Sequence, residues 1–360
     1  MNTLVLSALA LATATHTPTG TADDHDWLTL DHEIANLNSM LVEDKAGVAV
    51  SGYIKTSYDY SSDFQTNGND TGGFNFQNIR LVFKGKVGPF DVKVSIDGAQ
   101  TVSGTTVGGQ EVIKDAYARF AITDDIHAQM GNFKSPFLSS SVESDDKLIF
   151  YDRTNQGTIW GGRELGFQAD GQHGPVGWYA AAQNGGDAAG NDLLLFGKVA
   201  FTITGKPIPM AQSGGFGTAA PTQVQVAAMV ADEGTLTDGT VYAGEAIAIT
   251  GPIFAEAEIV DYDSGFTAGS VPVGNASRAS GSADTTPWDI TGGYMFTEHD
   301  EAAVRYQDAD DTDNTKSYSL GYTRYMQGHA AKVQVNWIAT DSDNVALDGD
   351  RLKVGLTVGI

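Results

Sequence analysis

The cations of this sequence are scarce and regularly placed. Against 45 Asp and Glu there are 21 Lys and Arg. Lys55, Arg80, Lys84, Lys86, Lys93, Arg119, Arg305, Lys332, Arg351 and Lys353 all fall on the polar phase of a two-residue alternation near the two ends of the chain. Side chains in one phase of such an alternation share one face of a strand, so these residues form a basic surface suited to anions and dipoles. The plain alternative is that each is a solvated side chain on a wet face. A second cluster lies in 134–162, where Lys134, Lys147 and Arg153 mix with Glu143, Asp145, Asp146 and Asp152, and Arg163 follows. Acids outnumber bases on that segment. Set across a gap from the basic face, it would create a transverse field that orders water and aligns dipolar solutes without holding them tightly.

Other constellations are weaker. Asp308, Asp310, Asp311 and Asp313 are spaced closely enough to suggest Ca²⁺, but the stretch lacks the Gly at position six and the Glu at position twelve of an EF-hand loop. A solvated acidic loop is the favoured reading, and no cofactor is expected. With no cysteine and seven scattered histidines, and without Gly-x-Ser-x-Gly, His-Glu-x-x-His or P-loop motifs, no enzyme is expected. A formal charge of −24 repels phosphate backbones and argues against a nucleic-acid partner.

The elements that must position these residues are strands. Beyond Gly47 a period of two governs the chain. It predicts sixteen strands, near 48–60, 74–87, 90–101, 112–122, 125–133, 163–171, 176–184, 192–204, 222–232, 240–249, 253–262, 286–296, 300–309, 315–325, 330–341 and 350–360. Every other connection is tight, as at Gly88-Pro89, Thr123-Asp124 and Gly251-Pro252, and those between are long and polar. One connection, 205–221, breaks the rule: either it is an elaborated turn or the count shifts there. No apolar run after the first dozen residues reaches the ~20 that a membrane helix needs. One face of each strand is apolar and the other is charged or polar, which suits a closed transmembrane barrel with lipid outside and water inside. Tyr58, Tyr60, Tyr322, Tyr325 and Trp337, near strand ends, suit interfacial girdles. A soluble β-sandwich is the competing architecture. In a barrel the last strand pairs with the first, so the cations of strands one to four and thirteen to sixteen form one continuous arc of wall. Facing lipid they would cost several kcal/mol each, so they face the lumen.

Ahead of the strands, residues 1–22 form an apolar leader with small residues after it, expected to be a signal peptide although no Lys or Arg precedes it. Residues 23–46 are expected to form an amphipathic helix whose Trp27, Leu30, Ile34, Leu37 and Leu41 recur as a heptad seam. Two heptads need a partner, either copies of the same helix or the chain's own barrel. The barrel is expected over 47–360.

The segments GNFKSPF at 131–137, DDKLIFYDR at 145–153 and GGRELGFQADGQHGPVGWYAAAQNGGD at 161–187 resemble the phosphate-selective porin O/P family, and 316–338 looks like its penultimate hairpin. The resemblance implies an all-β, 16-stranded antiparallel barrel, trimeric in the bacterial outer membrane, whose third long loop folds inward and narrows the lumen. The chain departs from such porins in ending on Ile360 rather than an aromatic residue. A phosphate-selective constriction would want bases on the loop itself, where here they are outnumbered. The expectation is therefore passive diffusion of small hydrophilic solutes and ions, general or weakly anion-preferring. A phosphate- or anion-specific porin and a non-conducting structural barrel remain the alternatives.

Overall fold

A computed structural model describes residues 47–62, 71–98, 112–185, 193–209, 214, 222–232, 239–263, 284–345 and 347–360. The leader 1–22 and the heptad seam of 23–46 lie outside the described residues. Sixteen strands close into a single barrel in chain order. They are β1 (Ala49–Ser62), β2 (Thr71–Val87), β3 (Phe90–Asp97), β4 (Val112–Ala121), β5 (Ile126–Lys134), β6 (Arg163–His173), β7 (Val176–Gln183) and β8 (Leu194–Thr204), then β9 (Gln223–Asp232), β10 (Thr240–Thr250), β11 (Ile253–Tyr262), β12 (Trp288–Met295), β13 (Asp300–Asp308), β14 (Lys316–Tyr325), β15 (Ala331–Asp341) and β16 (Gly349–Gly359). β1 pairs antiparallel with both β2 and β16, with Tyr53 opposite Gly359 at one end of the seam and Ser62 opposite Asp350 at the other. An even number of strands lets the closing pair be antiparallel like the rest. Closure leaves no strand edge, which is the condition for a sheet to cross lipid, and it removes the sandwich alternative.

The burial pattern is that of a soluble protein turned inside out. On β14, Leu320 is 54% exposed while its neighbour Ser319 is 5% exposed. On β16, Leu352, Val354, Leu356 and Val358 are exposed and Lys353 and Thr357 are buried. The outer face carries aromatic clusters at both rims: Trp288, Tyr306 and Tyr318 with ring centroids 4.9 and 5.1 Å apart, and Phe296 against Tyr322 at 6.3 Å. Tyr325 does not join them. It points inward, 1% exposed, and its hydroxyl donates to Glu301 at 2.6 Å. Leu320→Arg, at the middle of β14, is expected to cost about 2–4 kcal/mol by carrying a cation into lipid, whereas Ser319→Arg on the wet face should be tolerated. Unfolding of the two variants reconstituted in liposomes measures the difference.

Apart from 205–221, short connections alternate with long ones round the barrel, and the start of β1 and the end of β16 lie on the short side. The strand count does not shift at the 205–221 connection, most of which lies outside the described residues. Its Ile208 folds back inside, where its N–H donates to Gln225 Oε1 at 3.0 Å and its carbonyl accepts from Gln225 Nε2 at 3.3 Å. It packs there against Ile149, Ile247, Ile249 and Phe254.

Candidate functional site

The segment between β5 and β6, residues 135–162, lies inside the barrel and meets the wall on both sides. It contains two short helices, α1 (Ser139–Val142) and α2 (Asn155–Ile159). Helix ends leave amide N–H groups unsatisfied; at α2 the segment's own Thr154 hydroxyl accepts from Gly157 N–H at 2.9 Å, and at α1 the wall supplies the caps. Ser139 donates its N–H and hydroxyl to the Glu245 carboxylate, both at 2.9 Å, and Ser140 does the same to Glu258 at 3.1 and 2.6 Å. Around these polar contacts Phe137, Leu138 and Trp160 pack against Leu194, Phe196, Met229, Val241 and Tyr262. Trp160 Nε1 donates to the Tyr262 hydroxyl at 2.8 Å, and that hydroxyl donates onward to Gln156 at 2.8 Å. The β7–β11 side of the lumen is thus filled by a packed apolar core.

The other end of the segment, Ile149-Phe150-Tyr151, rests on the opposite wall, and each of its side chains lies over a glycine. A Cβ on Gly293 would come within 2.5 Å of Ile149, one on Gly321 within 2.8 Å of Phe150, and one on Gly355 would run into the Tyr151 ring. An irregular segment held away from bulk water exposes main-chain carbonyls that need donors, and the basic arc provides them. Lys55 donates to the carbonyls of Asp145 (2.9 Å) and Tyr151 (2.5 Å), Lys332 to Leu148 (2.7 Å) and Arg305 to Asp152 (3.0 Å). Lys134 donates to the carbonyls of Ser141 and Glu143 at 2.7 and 3.0 Å, and Arg153 to that of Ser140 at 2.6 Å. Gln334 and Asn336 complete the seat, Asn336 Oδ1 accepting the Tyr151 N–H at 2.7 Å.

The sequence-predicted cations therefore face the lumen, but few of them face open water. Arg80 lies 2.8 Å from Asp97 and 3.2 Å from Asp145, which also takes Arg153 at 2.7 Å. Lys93 and Arg163 share Asp115, each at 3.0 Å. Arg119 grips Asp170 with two parallel bonds of 2.6 and 2.7 Å, the strong bidentate form. Lys353 reaches Asp152 at 2.6 Å. Lys84 is exposed near the short-turn end, Lys147 is exposed on the segment, and Asp146 accepts from the Ser144 hydroxyl. Arg351 is half-buried toward the long-loop end. The segment's acids Asp145 and Asp152 thus sit in contact with the basic arc instead of opposing it across a gap. Burial pushes both carboxyls upward, but Arg153, Lys134 and Arg80 around Asp145, and Lys353 beside Asp152, outweigh it and hold them below the ordinary carboxylate range. The anchoring by these two is complete above about pH 4 and is lost as pH falls below it.

The opposing charge comes from the far wall. Glu245, Glu258 and Asp289 stand side by side across β10, β11 and β12, with Glu256 beside them, and all four are buried. Lys198 pairs with Glu245 at 2.6 Å, while both oxygens of Asp289 and one of Glu256 have no partner among the described residues. Carboxyl groups thus crowd this wall as cations crowd the other. The cue lay in the alternation Ala255-Glu256-Ala257-Glu258, which puts two acids on the inward phase. Glu143, at 2% exposure, is buried with the segment.

Two cavities remain. An outer one of about 510 Å³ opens toward the long loops between Phe150, Arg305, Arg351 and Ile338. An inner one of about 250 Å³ lies on the β1–β7 side between Arg80, Lys93, Arg163, Tyr117 and Glu143. Among the described residues no three His, Asp or Glu side chains converge as a metal site. Asp308 and Asp311 cap their own loop, accepting from Asp310 N–H at 3.0 Å and Thr315 N–H at 2.8 Å, while Asp310 and Asp313 tie it to the neighbouring connections, accepting from Thr286 N–H at 2.6 Å and the Asn344 amide at 3.1 Å.

Residues 48–192 match the family model described as phosphate-selective porin O and P, the stretch that contains the 131–187 motifs. No curated protein matches the sequence. Among solved structures the chain is similar to OmpF of Salmonella typhi, in a complex with daunomycin, at a TM-score of 0.61 and 11% identity, covering 88% of this chain and 99% of that one. It is similar to an anion-selective porin from Comamonas acidovorans at 0.59 and 11%, with 88% and 100% covered. The outer-membrane channel DcaP of Acinetobacter baumannii aligns at 0.56 and 15%, with 88% and 97% covered.

Proposed function

We propose that this chain, a sixteen-stranded barrel whose residues 48–192 carry the porin O and P match, is a porin of the bacterial outer membrane, passing small hydrophilic solutes and ions by diffusion. One observation carries the reading: the wall is apolar toward lipid and charged toward the lumen, and an inserted segment held by that charge narrows the passage without adding a reactive group. Where the Glu245–Asp289 row is ionised, it and the basic arc on the other side make a transverse field. Such a field favours hydrated and dipolar solutes and gives only weak preference by sign. Pairing cancels most of the arc's positive charge, so the anion preference is slight. A dedicated phosphate channel is the less favoured reading, because the bases around the inner cavity are already taken by Asp97, Asp115 and Asp145. Assembly as a homotrimer, with Ile34 and Leu37 in its seam, belongs to the same proposal. Purified protein added to a planar bilayer is expected to give stepwise, ohmic conductance; a barrel that inserts and passes no current would be a structural surface protein.

A further inference from the structure

We propose that the outer cavity is a binding site for small organic carboxylates that carry an apolar body, benzoate being the simplest. The inference rests on the channel reading and names a solute class for it. A passage for hydrated inorganic ions has no use for apolar walls, yet Phe150, Ile159, Pro287 and Ile338 line this one, and its volume of about 510 Å³ is that of a small-molecule site. Among them stands Arg305. Its guanidinium lies 4.4 Å over the Phe150 ring, with Nε bonded to Thr291 at 3.0 Å and Nη1 to the Asp152 carbonyl at 3.0 Å. That leaves Nη2 without a partner among the described residues.

The other charges that line the cavity are committed, and the carboxyls of Asp289 and Glu256, which act on Arg305 and have oxygens without a partner among the described residues, lie outside its lining. Arg153 is held by Asp145 and by main-chain carbonyls, and Asp152 by Lys353. Asp310 and Asp311, on the rim, cap main-chain N–H groups and face solvent, where salt screens them within about 8 Å. Arg305, at 8% exposure, acts where screening is weak. Among the groups that line the cavity, the uncommitted buried charge is therefore positive and set among apolar surface. An inorganic anion would use only the charge. An apolar cation would be repelled by it. A ring bearing a carboxylate would use both.

Calorimetric titration of the detergent-solubilised full chain with benzoate, acetate, phosphate and benzylammonium tests this directly. Benzoate is expected to bind about tenfold more tightly than acetate or phosphate, with no binding of benzylammonium. Arg305→Gln should weaken benzoate about tenfold. Ile338→Asn, which leaves the segment's anchors untouched, should weaken benzoate but not acetate, and serves if Arg305→Gln fails to fold. Equal binding of acetate or phosphate, binding of benzylammonium as tight as that of benzoate, or no benzoate heat at all would overturn the proposal. The titration needs no current. Binding without conductance would sink the channel reading alone, and conductance without benzoate binding would sink only this inference.

Discussion

Gly355→Val is expected to raise single-channel conductance several-fold while leaving the barrel folded. Valine suits a strand, and the main chain of β16 keeps its ladder to β1 and β15. The side chain, however, takes the space now filled by the Tyr151 ring. That ring cannot shift within its seat, because Lys55 holds the Tyr151 carbonyl and Asn336 its N–H, so the whole 148–152 stretch must lift. Each lost bond to a charged donor forfeits ~1.5–3 kcal/mol, and the losses come together because the donors share one stretch of chain. The Phe137–Trp160 end keeps its own packing, so the segment should swing on that end and widen the lumen along β14–β16. Conductance unchanged from the parent, in protein that still migrates as a folded barrel, would mean that the segment does not limit the current.

The second large effect is on selectivity. Neutralising Arg80, Arg119 and Arg305 to Gln together should move the reversal potential under a salt gradient toward cations, because Asp97 and Asp170 lose their cation, Asp145 keeps only Arg153, and the passage gains net negative charge. Neutralising Glu256, Glu258 and Asp289 to Gln and Asn should move it toward anions at alkaline pH, where these crowded buried carboxyls are ionised. In the parent, preference should be weak and anion-leaning at high salt. It should drift toward cations as salt falls, since the chain's −24 then regains reach beyond the ~8 Å of physiological screening. If both triple variants leave the reversal potential where it was, neither row lines the path of the ions.

The barrel was legible because lipid and water impose opposite demands on alternate residues, and sixteen runs such as Ser317-Tyr318-Ser319-Leu320 obey them. Facing followed from the same rule, and so the arc was found. Tyr325 misled because aromatic character near a strand end says nothing about phase; the phase of Thr323 would have turned it inward. The acids of β10–β12 leave a weaker trace, because only Glu256 and Glu258 share an alternating run and Glu245 and Asp289 each stand alone on their strands. The contact between Asp145 and the arc was hidden for a different reason: how an irregular segment crosses a lumen is fixed by tertiary seats, here three glycines on three different strands, that no local pattern connects. The 205–221 connection did carry a cue in Pro207-Ile208-Pro209, an apolar residue where a surface turn would have none.

The donors that fix the inserted segment hold its carbonyls more than its side chains. Lys55, Lys332, Arg305 and Lys134 bind groups that every amino acid possesses. Substitutions at exposed positions of the segment, Lys147 foremost, therefore alter what a passing solute meets without undoing the attachment. The wall acts as a socket and the segment as an exchangeable insert, so related barrels can diverge in permeability through a few loop substitutions while their strands stay under strict constraint. Variation in this lineage should accordingly concentrate at exposed positions such as Lys147 and spare Asp145, Gly293, Gly321 and Gly355.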